Sequence, residues 1–198
     1  MNQPRKTNWD KVKPYGDFEQ LPKGGYVLKI LDLEKKTNRN GGAYFEISAD
    51  IFEGEYAKYF EKEFKDRPGE DKKWKCRMFL NEPTDDGSDQ DTYRLRALRT
   101  FTDALEDSNP GYTWDWDETR WKGKLIGGLF NSREWEFNGK TGWSTRWKSV
   151  CSVEKIKTGT YKLPADEPLK SNIGTAPTTA SNDFMQLPEG SEEELPFA

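Results

Sequence analysis

The chain has 198 residues, of which 33% are charged, 33% hydrophobic and 14% aromatic, with no histidine and two cysteines. Without histidine it lacks the commonest general base and metal ligand, so the composition speaks against an enzyme, and no cofactor is expected. No apolar run approaches the about 18 residues of a membrane span, and Cys76 and Cys151, with no leader segment, read as reduced thiols of a cytoplasmic protein.

Residues 1–20 form a polar arm carrying Trp9 and Phe18. The arm leads through Leu21-Pro22-Lys23-Gly24-Gly25 into a first strand, 25–34, where Tyr26, Leu28 and Ile30 alternate with Val27, Lys29 and Leu31. A basic turn with a glycine pair follows, then a second strand, 43–53. Its faces separate cleanly: Phe45, Ile47, Ala49 and Ile51 should meet the core, with Tyr44, Glu46, Ser48 and Asp50 opposite. The segment 55–72, rich in Tyr, Phe and charge, suits a short helix or an ordered loop.

A third strand, 73–80, places Trp74, Cys76, Met78 and Leu80 on one side and Lys73, Lys75, Arg77 and Phe79 on the other. After an acidic loop, Asp89 or Asp91 is a fitting N-cap for a helix over 92–107, buried along Leu95, Leu98, Phe101 and Leu105 and stopped by Asn109-Pro110-Gly111. Two long strands, 121–137 and 142–154, are joined by Asn138-Gly139, residues that accept positive φ at little cost. Strand, strand, strand, helix, strand, strand is the element order of the five-stranded, Greek-key OB barrel, whose strands two and three and joining loops hold oligonucleotides. The expectation is a mainly β domain over residues 21–163, followed by a disordered tail over 164–198.

Charge divides the same way. Residues 164–198 carry seven acids and one base, leaving the body with 30 bases and 28 acids, so an acidic whole conceals a mildly basic body. All eight tryptophans precede residue 150. Binding a single strand without reading its sequence requires cations along the backbone path and flat faces for the bases. The candidates are Arg39 in the first turn, Tyr44 on strand two, Lys73, Lys75, Arg77 and Phe79 on strand three, and Trp135, Phe137, Lys140, Trp143, Arg146 and Trp147 in the last hairpin. Any one of these tryptophans taken alone fits a core position as well as a stacking platform; the set carries the reading. Asp115-x-Asp117-Glu118 lacks a partner motif for a metal site, and the aspartates of 85–91 miss the spacing of a calcium loop.

The tail ends in Glu192-Glu193-Glu194-Leu195-Pro196-Phe197, three carboxylates before two apolar anchors separated by a stiff proline. This ending resembles the acidic, Pro-Phe-terminated tail of bacterial and phage single-stranded-DNA-binding proteins, which recruits partner proteins; the plainer alternative is a solubilising tail. Within the body, Leu21-Pro22-Lys23-Gly24-Gly25-Tyr26, Glu53-Gly54-Glu55-Tyr56, Asn109-Pro110-Gly111-Tyr112-Thr113-Trp114-Asp115-Trp116-Asp117 and Gly127-Gly128-Leu129-Phe130, leading into Glu134-Trp135-Glu136-Phe137-Asn138-Gly139, resemble a family from phages and integrated elements of Gram-positive bacteria that includes OB-type single-stranded-DNA-binding proteins. The resemblance implies single-stranded DNA as ligand, replication or recombination proteins as partners of the tip, and no catalytic residues. Self-association is left open. The competing class is a protein-binding inhibitor or DNA mimic whose aromatic face meets protein.

Overall fold

The computed structural model describes residues 19–67 and 69–169. It is mainly β: strands β1 (Gly24–Thr37), β2 (Ala43–Ile51), β3 (Arg77–Asn81), β4 (Leu125–Phe137) and β5 (Lys140–Cys151), with helices α1 (Tyr59–Asp66), α2 (Asp89–Ser108) and α3 (Val153–Thr158). The strands form one antiparallel sheet in the order β3-β2-β1-β4-β5. β3 and β5 are its edges, and α2 packs against both.

β1 runs beyond its expected end because of a bulge. Ile30 pairs with Ala49 and Asp32 with Ser48, leaving Leu31 unpaired and 38% exposed. The extra residue switches which side chains point inward, from Leu28 and Ile30 to Leu33, and so lets the strand continue to Thr37. β2 keeps the alternation its sequence dictates, burying Phe45, Ile47, Ala49 and Ile51. These pack with Leu28, Ile30, Phe101, Trp121 and Phe130 into one core, where each fully buried aliphatic side chain contributes about 1.5–3 kcal/mol.

The segment after β2 is helical because Asp50, at the end of β2, supplies a cap from outside: its carboxylate accepts from the amides of Phe60 and Glu61 at 3.1 and 3.0 Å. Burial pushes that carboxyl above its ordinary value, against the pull of these hydrogen bonds. The cap of α2 is Ser88 rather than either aspartate. Its hydroxyl accepts from the Asp91 amide at 3.0 Å, while the Asp91 carboxylate turns back to the amide of Thr84 at 2.6 Å and is buried there. At the other end Asn109 ties the helix to β4, donating to the carbonyls of Leu105 and Leu125 and accepting from the Leu125 amide.

The third strand is shorter than its alternation suggested. Pairing with β2 starts at Arg77, so Lys73 and Lys75 precede the strand. β4 starts later and β5 ends earlier than expected, while β5 already begins at Lys140, before its expected start; a 3₁₀ turn at Glu118–Trp121 precedes β4 and α3 follows β5. Asn138 (φ 49°) and Gly139 (φ 72°) make the two-residue turn between them, with Phe137 opposite Lys140. Residues 165–169, expected to belong to the tail, run along β4 where β1 no longer covers it: the amide of Glu134 donates to the Glu167 carbonyl and the Glu167 amide to Ser132, each at 2.8 Å. Among the described residues no helix is long and apolar enough to cross a membrane.

Candidate nucleic-acid interface

Register sorts the hairpin into two faces. Arg133, Trp135 and Phe137 of β4 lie opposite Ser144, Gly142 and Lys140 of β5, and Arg146 opposite Asn131, so all share the outer face. Trp135 and Phe137 are each 38% exposed. The Trp135 indole lies flat across the hairpin because residue 142 is glycine; a Cβ there would stand 2.6 Å from the ring. Trp143 pairs with Glu134, one residue out of phase, and is exposed on the other face, with its carbonyl accepting from Gln20.

Trp147 is a correction to the candidate set. It lies opposite Phe130, is 3% exposed and sits in the core, with its indole N–H donating to the Ser149 carbonyl at 3.1 Å. The inward phase of β5 at that position turns the ring into the core and away from the outer face of the hairpin.

On the other edge of the sheet, Tyr44 and Phe79 meet at 5.9 Å between ring centroids and the Arg77 guanidinium stands 5.6 Å from the Phe79 ring. Arg77 also pairs with Glu46 at 2.7 Å, as Lys36 does at 2.6 Å. Burial raises the Glu46 carboxyl, and Lys36 and Arg77 together more than reverse this, leaving it below its ordinary value. Lys75 is drawn towards α1 by an ion pair with Glu63, and exposed Lys73 gives its carbonyl to Arg67. Neither joins the Tyr44, Arg77 and Phe79 group. Arg39 is exposed in the β1–β2 turn, whose shape is set by Asn38 accepting from the amides of Asn40 and Gly42.

Between the two edges of the sheet lies a narrow cleft of about 90 Å³. Arg77 and Phe79 of β3 line one side, Arg146 and Lys148 of β5 another, and Tyr93 and Arg94 of α2 complete it. Arg146 thus belongs both to the cleft and to the outer face of the hairpin. Lys148 is the extra residue at a register shift in β5 and pairs with Glu167, which also lies 4.0 Å from Arg133. Burial raises the Glu167 carboxyl; Lys148, Arg146 and Asn131 outweigh it and hold it below its ordinary value. Tyr93, Arg94 and Lys148 were absent from the sequence candidates. The first two carry a usable signal, since they precede Phe101 by eight and seven residues, two helical turns up the same stripe.

The partner-binding candidates Glu192, Glu193, Glu194, Leu195, Pro196 and Phe197 lie outside the described residues, as do residues 1–18 of the arm. Among the described residues no group of three His, Cys, Asp or Glu is placed to hold a metal ion. Asp115 pairs with Arg120, and Asp117 accepts from the Thr119 amide to cap the 3₁₀ turn. No model of a known protein family matches the chain, and no curated protein matches it.

Proposed function

We propose that the protein binds single-stranded DNA across the outer face of the β4–β5 hairpin and the mouth of the cleft between β3 and β5, on a body of OB type. The observation that carries this reading is the convergence of Trp135, Phe137, Lys140 and Arg146 on one face that continues into a cleft lined by Arg77, Arg94 and Lys148. Aromatic faces that take bases and cations that take phosphates are the two requirements of sequence-tolerant binding, with each stacked base contributing about 1–3 kcal/mol. The strand order β3-β2-β1-β4-β5, with its two edge strands flanking one cleft, agrees with the partly open Greek-key barrel of that fold.

Two carboxylates define how the site exchanges partners. Glu46 holds Arg77 and Glu167 holds Lys148, so an arriving phosphate substitutes for an existing anion instead of meeting an uncompensated charge. This favours ready exchange along the strand over tight local capture. The resemblance of the body motifs and of the acidic tip supports a role in phage or mobile-element replication or recombination, with Leu195 and Phe197 anchoring a partner protein.

Titration of the full chain with oligo-dT tests the reading. Tryptophan fluorescence should be quenched, and affinity should fall steeply with salt as counterions are released. Absence of both effects removes DNA binding and favours the protein-binding inhibitor. Changing Phe197 to Ala should abolish capture of a replication or recombination partner while leaving oligo-dT affinity intact; retained capture would reduce the tip to a solubilising segment.

A further inference from the structure

A second aromatic site lies on the other flank of α2. A pocket of about 390 Å³, within the about 300–1,000 Å³ of ligand-sized cavities, is floored by Phe45, Leu98, Trp114 and Trp121. A ladder of rings climbs from the core to its mouth, with centroids 4.9 Å apart from Phe101 to Trp121, 5.2 Å to Trp114 and 5.8 Å to Trp116. Trp116 is 73% exposed and sits at φ 66°, a left-handed conformation that a bulky side chain adopts only at a cost. Leu95, 41% exposed, extends the apolar surface beside it.

The charged residues lining this pocket are Glu82, Asp85 and Glu118, with no lysine or arginine among them. Lys35 neutralises Glu82. Asp85 and Glu118 have no ion-pair partner among the described residues. The two unpaired carboxylates beside the tilted indoles repel phosphate and the protein's own acidic tail, and they attract an organic cation that can desolvate against the rings.

We propose that this pocket docks an arginine side chain of a basic segment in a partner protein, with the guanidinium against Trp116 and Trp114, its N–H groups directed to Glu118 and Asp85, and an adjoining apolar residue on Leu95. Arginine fits better than lysine because its planar, weakly hydrated head stacks on indole and matches a carboxylate with two parallel hydrogen bonds. The pocket would give the protein a contact with basic partners that is separate from its nucleic-acid face.

The test uses the full chain and the peptide acetyl-Ala-Arg-Leu-Arg-Ala-amide, with a citrulline-for-arginine version as the uncharged control. The arginine peptide should shift the indole N–H resonances of Trp114 and Trp116, and its affinity should fall about tenfold in Trp116→Ala and in Glu118→Gln. The citrulline peptide should not bind. Trp116→Gly should weaken binding as much as Trp116→Ala yet preserve or raise the melting temperature, because glycine accepts the left-handed backbone. The proposal is overturned by equal binding of the citrulline peptide, by shifts confined to Trp135 and Trp143, by a Trp116→Gly chain that no longer folds, or by oligo-dT shifting Trp116 where the peptide does not.

Discussion

The β4–β5 hairpin and the 112–121 segment both present tryptophan to solvent, and their charged neighbours have opposite signs. Trp135 shares its face with Arg133, Lys140 and Arg146, whereas Trp116 lines a pocket with Glu118 and Asp85. An exposed indole offers the same flat, electron-rich surface in both places; the surrounding charge decides whether a phosphate-bearing base or an organic cation can reach it. α2 lies between the regions, turning Tyr93 and Arg94 to one and Leu95 and Leu98 to the other. The number of aromatic residues is therefore a poor guide to nucleic-acid binding until each ring is placed among its charges.

The largest expected effect separates a core tryptophan from an interface one. Trp147→Ala should cost about 3–5 kcal/mol of stability, as removal of large buried aromatics does, while Trp135→Ala should leave the urea midpoint nearly unchanged. If the two variants unfolded alike, the hairpin face would be structural throughout. Next in size is the triple change of Arg77, Arg146 and Lys148 to Ala. At about 0.7 of salt slope per phosphate contact on a single strand, three lost contacts should flatten the slope by roughly 2. A slope equal to the parent's would take the cleft out of the DNA path.

Trp135→Ala should weaken oligo-dT binding by about 1–3 kcal/mol with the salt slope intact, and Gly142→Val should reproduce part of this by displacing the indole. A smaller gain is expected from Glu46→Gln, which releases Arg77 and Lys36 to the ligand. Exposed and half-exposed ion pairs contribute about 0–1 kcal/mol, so affinity should rise by no more than a few fold, read in the same titration. Unchanged or weaker binding would mean that Glu46 positions Arg77 instead of competing for it.

The smallest effect concerns the 165–169 segment on β4. Glu167 has its carboxyl held below the ordinary value in the folded protein, so its contribution to stability is present above the unfolded pKa and is lost as pH falls through the folded one. Hydrogen exchange at the amides of Glu134 and Glu167, corrected for intrinsic rates, should lose protection in that acidic window, ahead of the β1–β2 ladder. Loss of protection in both together would show that Glu167 is no local latch.

Much of the β architecture was legible. The strict alternation of Phe45, Ile47, Ala49 and Ile51 fixed the inward face of β2, and that of Cys76, Met78 and Leu80 gave the buried side of the third strand and its approach. The candidate site was legible only in part, because Trp135 and Trp147 look alike in a row of aromatics and cations. Their fates depend on strand register: Trp135 faces Gly142 on the outside, and Trp147 faces Phe130 on the inside. Leu95 is a correction in the opposite direction: expected in the buried stripe of α2, it is 41% exposed beside the acidic pocket.

The sequence by itself determined what depends on neighbours a few residues apart: the period-two strands, the Asn138-Gly139 turn, the amphipathic α2 and the separation of an acidic end from a basic body. These follow from backbone stereochemistry and local hydrophobic periodicity, which act along the chain. Only the tertiary structure decided the bulge at Leu31, the capping of α1 by Asp50, the gathering of Arg77, Arg94 and Arg146 around one cleft and the division of the tryptophans between core, cationic face and acidic pocket. Each of these turns on a contact between segments distant in sequence, and burial, cross-strand register and ion pairing act through space.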